Sequence, residues 1–113
     1  MKVSVIMPVY NGEKFISQAI ESILNQTFVD FEFIIINDGS NDKTEKIIAK
    51  YKDKRIKYFK FTKNKGLVYS LNFCLKKSKG EFIARMDADD ISMPDRFTKQ
   101  VKFLDKNESV VMC

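Results

Sequence analysis

Three aspartates, Asp87, Asp89 and Asp90, crowd into the stretch "IARMDADDISMP" directly behind an apolar run. Like charges this close repel, and a surface turn needs only one Asp or Asn to bend. Closely spaced carboxylates offer oxygen-rich ligation for a hard divalent cation, magnesium or manganese. Such a cation offsets the repulsion and keeps open positions for phosphate oxygens. The competing reading is structural, with Asp89, Asp90 and Ser92 serving a turn and a helix cap. A calcium hand is excluded, because counting from Asp87 puts Ser92 where the glycine is required and Thr98 where the glutamate is required.

Other chemistries are ruled out by composition. The chain has no histidine, which removes the commonest general base and every Ser-His or Cys-His arrangement. Acid–base work would fall to carboxylates, Lys or Tyr. Cys74 and Cys113 are too few for a disulfide framework or a zinc cage. The four glycines make neither G-x-G-x-x-G nor G-x-x-x-x-G-K, so a nucleotide would be held by metal and side chains instead of a glycine cradle. The net charge is +5, and the lysines are densest in "KYKDKRIKYFKFTKNK". Such a stripe suits nucleic acid, anionic lipid or a phosphorylated substrate, and equally a solvated helix face and strand edge.

The elements that must position the acidic cluster alternate along the 113 residues, one domain's worth of chain. "KVSVIMPV" reads as a strand ending at Tyr10-Asn11-Gly12. From Glu13 to Gln26, the residues Phe15, Ile16, Ala19, Ile20, Ile23 and Leu24 recur at helical spacing. "FEFIII" is a second strand running into "NDGSND", and Asp42 with Glu45 has the spacing of a capping box before Ile47, Ile48 and Tyr51. "RIKYFKF" is a third strand. A third helix is expected to turn Leu67, Val68, Leu71, Cys74 and Leu75 inward and to be closed by Gly80. "EFIARM" is a fourth strand. Ser92 and Pro94 open a fourth helix with Phe97, Val101 and Leu104 inward, and "SVVMC" begins a fifth strand.

This β-α-β-α order predicts an α/β fold, a mainly parallel sheet with right-handed crossovers and helices on both faces. In such a sheet the loops Tyr10–Gly12, Asn37–Ser40, Lys63–Gly66 and Asp87–Asp90 share the carboxyl edge, where ligands bind. Strand alternation puts Arg85 on the face of Asp87, where it either neutralises the cluster or reaches a phosphate.

Four segments, "VSVIMPVYNGEKFISQAIESILNQT", "FIIINDGSNDKT", "NKGLVYSLN" and "GEFIARMDADDISMPDRF", occur in order and together resemble the nucleotide-binding half of family 2 glycosyltransferases. The resemblance covers essentially the whole chain and implies a Rossmann-like GT-A fold, truncated, with residues 1–113 as its donor-binding part. It implies a nucleotide site at Pro8, Tyr10, Asp38, Asn64, Lys65 and Asp87. Tyr10 would pack on the base, Asp38 would accept a hydrogen bond from it, and Asn64, Lys65 and Gly66 would face the diphosphate. Asp87 would lie near ribose or sugar hydroxyls, and Asp89, with Asp87, would hold Mg2+ or Mn2+. The donor would be a nucleotide diphosphate sugar, commonly UDP-linked. The acceptor would be a glycan or lipid-linked molecule, attacked with inversion.

Two departures from the family pattern stand out. Leu71 occupies the position where many relatives carry arginine, and the acceptor-binding half with its catalytic carboxylate is expected beyond Cys113. That leaves the fragment alone without the attacking side of the reaction and inclined to self-associate. Each assignment has a plainer counterpart: Tyr10 as packing, Asp38 as a turn former, Lys65 as a solvated loop lysine. A non-catalytic nucleotide- or metal-binding module is the alternative for the chain as a whole. A metal-dependent nucleic-acid enzyme is disfavoured, since "MPVYNG" lacks a glutamate at the first strand's end, and no nucleic-acid partner is expected. The apolar runs are far shorter than the ~20 residues of a membrane helix. No signal peptide is legible, so a cytoplasmic location, with peripheral association at the inner membrane face, is the expectation.

Overall fold

The computed structural model describes residues 2–106. Strands β1 (Val3–Val9), β2 (Phe31–Asp38), β3 (Ile56–Phe61) and β4 (Phe82–Arg85) alternate with helices α1 (Ile16–Leu24), α2 (Thr44–Ile48), α3 (Leu67–Lys77) and α4 (Arg96–Lys106). The strands form one parallel sheet in the order β3-β2-β1-β4. The two central strands are buried along nearly their whole length. That explains why they read as continuous apolar runs instead of alternating ones.

Alternation along β1 and β2 still sorts the side chains between two layers. Val3, Val5, Met7 and Val9 join Phe31, Phe33 and Ile35 in a core shared with Ile16, Ala19, Ile20 and Ile23 of α1, Ile48 of α2, and Phe97 and Val101 of α4. Phe97 meets Phe31 edge-on at 5.6 Å between ring centres. The opposite sheet face carries Ile6, Ile34 and Ile36 against Cys74 of α3. Helices therefore cover both faces, as the sequence predicts. Pro8 and Asp38 stand at even positions and so belong to the α3 side.

Several local expectations are corrected. The face of α3 is rotated: Leu67, Val68 and Leu75 are exposed, whereas Ser70 and Cys74 are buried, with Leu71 and Phe73 packed beside them. Gly80 does not close α3, which ends at Lys77 with Ser78 extended. A Cβ on Gly80 would stand 2.5 Å from the Ser4 nitrogen, so its lack of a side chain lets the α3–β4 loop touch β1. That contact is sealed by Glu32, which accepts hydrogen bonds from the Ser4 hydroxyl and from Lys79 N–H, the latter at 2.7 Å. Asp42 and Glu45 do not form a reciprocal capping box. Asp42 accepts the Thr44 N–H at 2.9 Å in an Asx turn, and Glu45 pairs with Lys60 at 2.9 Å. The regular part of α1 begins at Ile16, because Glu13 is held by the β2–α2 loop through Asp42 and Lys43. The expected strand "SVVMC" and the side chain of Leu104 lie outside the described residues.

Candidate functional site

β1 lies between β2 and β4, so the chain leaves its sheet neighbours on opposite sides. In such a fold, this reversal opens a crevice beyond the strands' carboxyl ends. The loops that meet there are laced together. Asn11, at a positive φ of 51°, donates its N–H to Ser40 Oγ at 2.8 Å and accepts the Asn41 N–H at 2.9 Å. Asn is among the few residues that tolerate this left-handed backbone. Gly12 N–H reaches Thr44 Oγ1 at 2.9 Å. Burial opposes the charge on Asp42, but hydrogen bonds from Thr44 and Glu13 outweigh it and hold its carboxyl below the usual range.

Asp38 ties the next loop. It is almost fully buried, and its two carboxylate oxygens accept the N–H groups of Lys65 at 2.7 Å and Gly66 at 3.0 Å. Asn64 Nδ2 donates to the Asp38 carbonyl at 3.3 Å. Gly39 permits the approach, since a Cβ there would stand 2.5 Å from the Asn64 nitrogen. Asp38 is thus a turn former and also the anchor of the β3–α3 loop. Each carboxylate oxygen keeps a second lone pair.

The acidic residues follow β4. Oxygens of Asp87, Asp89 and Asp90 lie within 4.8 Å of one another, all three side chains are exposed, and Asp90 N–H closes a turn onto the Asp87 carbonyl at 3.0 Å. Arg85 Nη2 stands 3.4 Å from Asp87 Oδ1, an exposed ion pair with one member of the cluster. Beneath the loop, Arg96 donates to the Arg85 carbonyl and to Ser92 Oγ, both at 2.9 Å. Three oxygens this close fit a hard, oxygen-seeking divalent cation, and no nitrogen or sulfur donor belongs to the group.

Two clefts flank Tyr10 and share Pro8 and Val9. One, of about 390 Å3, is lined by Tyr10, Asp38, Asn64, Gly66, Leu67 and Ser70. The other, of about 260 Å3, is lined by Tyr10, Asn11, Gly12, Phe15, Ala88 and Asp89. Pro8, Tyr10, Asp38, Asn64 and Asp89 are therefore brought together, and Asp87 stands beside Asp89. Lys65 is not: its ammonium lies over the rings of Phe61 and Tyr69, at 5.1 and 4.8 Å, and only its backbone meets Asp38. Sequence reasoning missed Ser70 in the cleft and Arg96 under the acidic loop. The i, i+4 pair Ser70–Cys74, small residues within an otherwise bulky helix, is the signal that could have found the first.

An all-parallel sheet of this order, with polar loops gathered at its carboxyl edge, defines a Rossmann-like α/β domain. The model of the glycosyl transferase family 2 matches residues 4–113, and the chain belongs to that family. It is 46% identical over 109 residues to the putative glycosyltransferase EpsE of Bacillus subtilis (strain 168), covering 94% of this chain and 39% of that protein. An uncharacterized glycosyltransferase of Methanocaldococcus jannaschii is also 46% identical, over 112 residues, with 96% and 39% covered. The chain thus spans about two fifths of these relatives' length. Among solved structures, S. aureus TarS 1–349 in complex with UDP-GlcNAc superposes with a TM-score of 0.90 at 34% identity, over 96% of this chain and 32% of that one. The mannosyltransferase PcManGT from Pyrobaculum calidifontis, in complex with GDP-Man and Mn2+, gives 0.85 at 25% identity, over 91% and 32%. The fold is the GT-A type of these glycosyltransferases.

Proposed function

We propose that this chain is the donor-binding part of a glycosyltransferase that moves a sugar from a UDP-linked donor to a glycan or lipid-linked acceptor, with inversion. The observation that carries the reading is the pair of clefts joined at Tyr10, with Asp38 at one end and Asp89 at the other. A nucleoside diphosphate has matching ends, a base that donates a hydrogen bond and a diphosphate that needs positive charge. Asp38 accepts from the base, Tyr10 lies against it, and Asn64 with the Lys65–Gly66 backbone closes that cleft. Asp89 and Asp87 would hold Mg2+ or Mn2+, and Arg85 balances Asp87 while no cation is bound. A bound cation supplies charge stabilisation to the departing diphosphate. Support comes from the UDP-GlcNAc complex of TarS and the GDP-Man and Mn2+ complex of PcManGT.

The acceptor's proton needs a base, and the described carboxylates of the crevice are committed to nucleotide and metal. The base belongs in this reading to the larger part of the relatives' length that this chain does not span. Occupancy of both clefts by one ligand is testable by titration. Uridine diphosphate should bind at least ten-fold more tightly than uridine or pyrophosphate, each of which fills one cleft. Equal affinities for the three would contradict the reading.

A further inference from the structure

The helix that walls the nucleoside cleft carries a hydroxyl with nothing to do. Ser70 is fully buried, it lines the cleft with Asp38, Asn64 and Gly66, and its Oγ is the one buried side-chain polar atom among the described residues that lacks a hydrogen-bond partner. A helical serine ordinarily returns its hydroxyl to a carbonyl one turn back, as Ser22 of α1 does to Ala19 at 2.8 Å. Ser70 does not. Leaving such a group unpaired is unfavourable, and a native structure that keeps one has a use for it or a partner still to arrive.

The neighbourhood says what kind of partner. Gly66 joins the two side chains: its N–H goes to Asp38 and its carbonyl accepts the Ser70 N–H at 3.1 Å. A Cβ placed on Gly66 would meet nothing within 4 Å, so the space beside this glycine, at the cleft's edge, is open. The cleft is lined by one carboxylate and by no cationic side chain, whereas Asp89 lines the cleft across Tyr10. A diphosphate has no place beside an unneutralised carboxylate. An uncharged group with both a donor and an acceptor does.

We propose that the Ser70 hydroxyl is a specificity contact of the donor site, donating its proton to an oxygen of the nucleoside while Asp38 accepts from a nucleoside N–H. The inference rests on the donor-site reading above. A site offering an acceptor from Asp38 and a donor from Ser70 is complementary to an N–H beside a carbonyl, the edge that uracil presents. Cytosine, whose corresponding ring nitrogen carries no hydrogen, offers Asp38 no donor at that position.

The test compares the wild type with Ser70→Ala in three measurements on the whole chain: thermal unfolding without ligand, binding of uridine diphosphate with magnesium, and binding of pyrophosphate with magnesium. The expected result is an unfolding midpoint that is unchanged or raised, since the variant removes an unpaired hydroxyl. Uridine diphosphate should bind about three- to ten-fold more weakly, one neutral hydrogen bond's worth, and pyrophosphate should bind as before. Equal binding of uridine diphosphate by both proteins would overturn the role of Ser70 and leave the donor-site reading standing. Equal weakening toward pyrophosphate, or a lowered midpoint with nucleotide affinity intact, would make the hydroxyl structural and overturn it too. A wild type that binds no uridine diphosphate would overturn both readings together.

Discussion

The carboxylate of Asp38 accepts the backbone N–H of Gly66 at 3.0 Å, and with the neighbouring bond from Lys65 N–H that contact ties the end of β2 to the start of α3. Gly66 has φ 94° and ψ 162°, a conformation that side-chain-bearing residues rarely adopt, so the bond and the glycine depend on one another. Through it, the wall of the cleft lined by Tyr10, Asp38 and Ser70 is set by the strand that forms its floor.

Replacing Asp38 should therefore act on stability as well as on binding. Asp38→Ala leaves two N–H groups without their acceptor and removes charge-assisted bonds worth about 1.5–3 kcal/mol each. A loss of about 2–4 kcal/mol in urea unfolding is expected, together with weakened nucleotide binding at saturating metal. Unchanged stability with lost binding would put Asp38 on the ligand alone.

Gly66→Ala separates strain from crowding. Space for the methyl group exists, but the backbone would be forced into a glycine region at a cost of about 1–3 kcal/mol. The variant should unfold at lower denaturant and bind uridine diphosphate more weakly. Wild-type behaviour in both assays would show that the loop relaxes without cost.

Arg85 can be tested without nucleotide. If it balances Asp87 in the free protein, Arg85→Ala concentrates negative charge, and manganese alone should bind about two- to five-fold more tightly, the range of an exposed ion pair. Manganese binding followed by its spin resonance signal checks this. If Arg85 instead serves a phosphate only, metal affinity will not change and nucleotide affinity will fall.

Acid sensitivity should have a local source away from the site. Asp53 is held at about 2, first by side-chain hydrogen bonding from Arg55, whose guanidinium also covers the Phe31 ring at 4.5 Å. The usual value is 3.8, so the folded form prefers the ionised carboxylate. Its stabilisation is present above that value and is lost as pH falls toward about 2. Asp53→Asn should flatten the acid limb of a stability profile between these limits, while an unaltered limb would place the sensitivity elsewhere.

Much of this architecture is legible from residue pattern alone. Continuous apolar runs such as "FIII" mark strands covered on both faces, and polar clusters behind them mark the ligand edge. What pattern could not supply was the rotation of α3. Leu67, Val68 and Leu75 look like a core face, yet the helix presents Ser70 and Cys74 to the sheet, because small residues let it sit close over Ile6, Ile34 and Ile36. Gly80 misled in a similar way: a glycine after a helix suggests a cap, whereas this one is required by a strand passing within van der Waals distance. The family resemblance turns Lys65 toward a diphosphate, whereas in the structure its ammonium lies over the rings of Phe61 and Tyr69.

Asp89 and Asp87 are proposed to hold the metal of a metal–diphosphate, and calorimetry of uridine diphosphate binding tests this most directly, with magnesium and then with chelator. Binding should be measurable with the metal and fall at least ten-fold in chelator, and Asp89→Asn should lose most of the metal-dependent part while melting like the wild type. Equal binding in chelator, or an Asp89→Asn variant that keeps its metal dependence, would contradict the assignment of the acidic cluster.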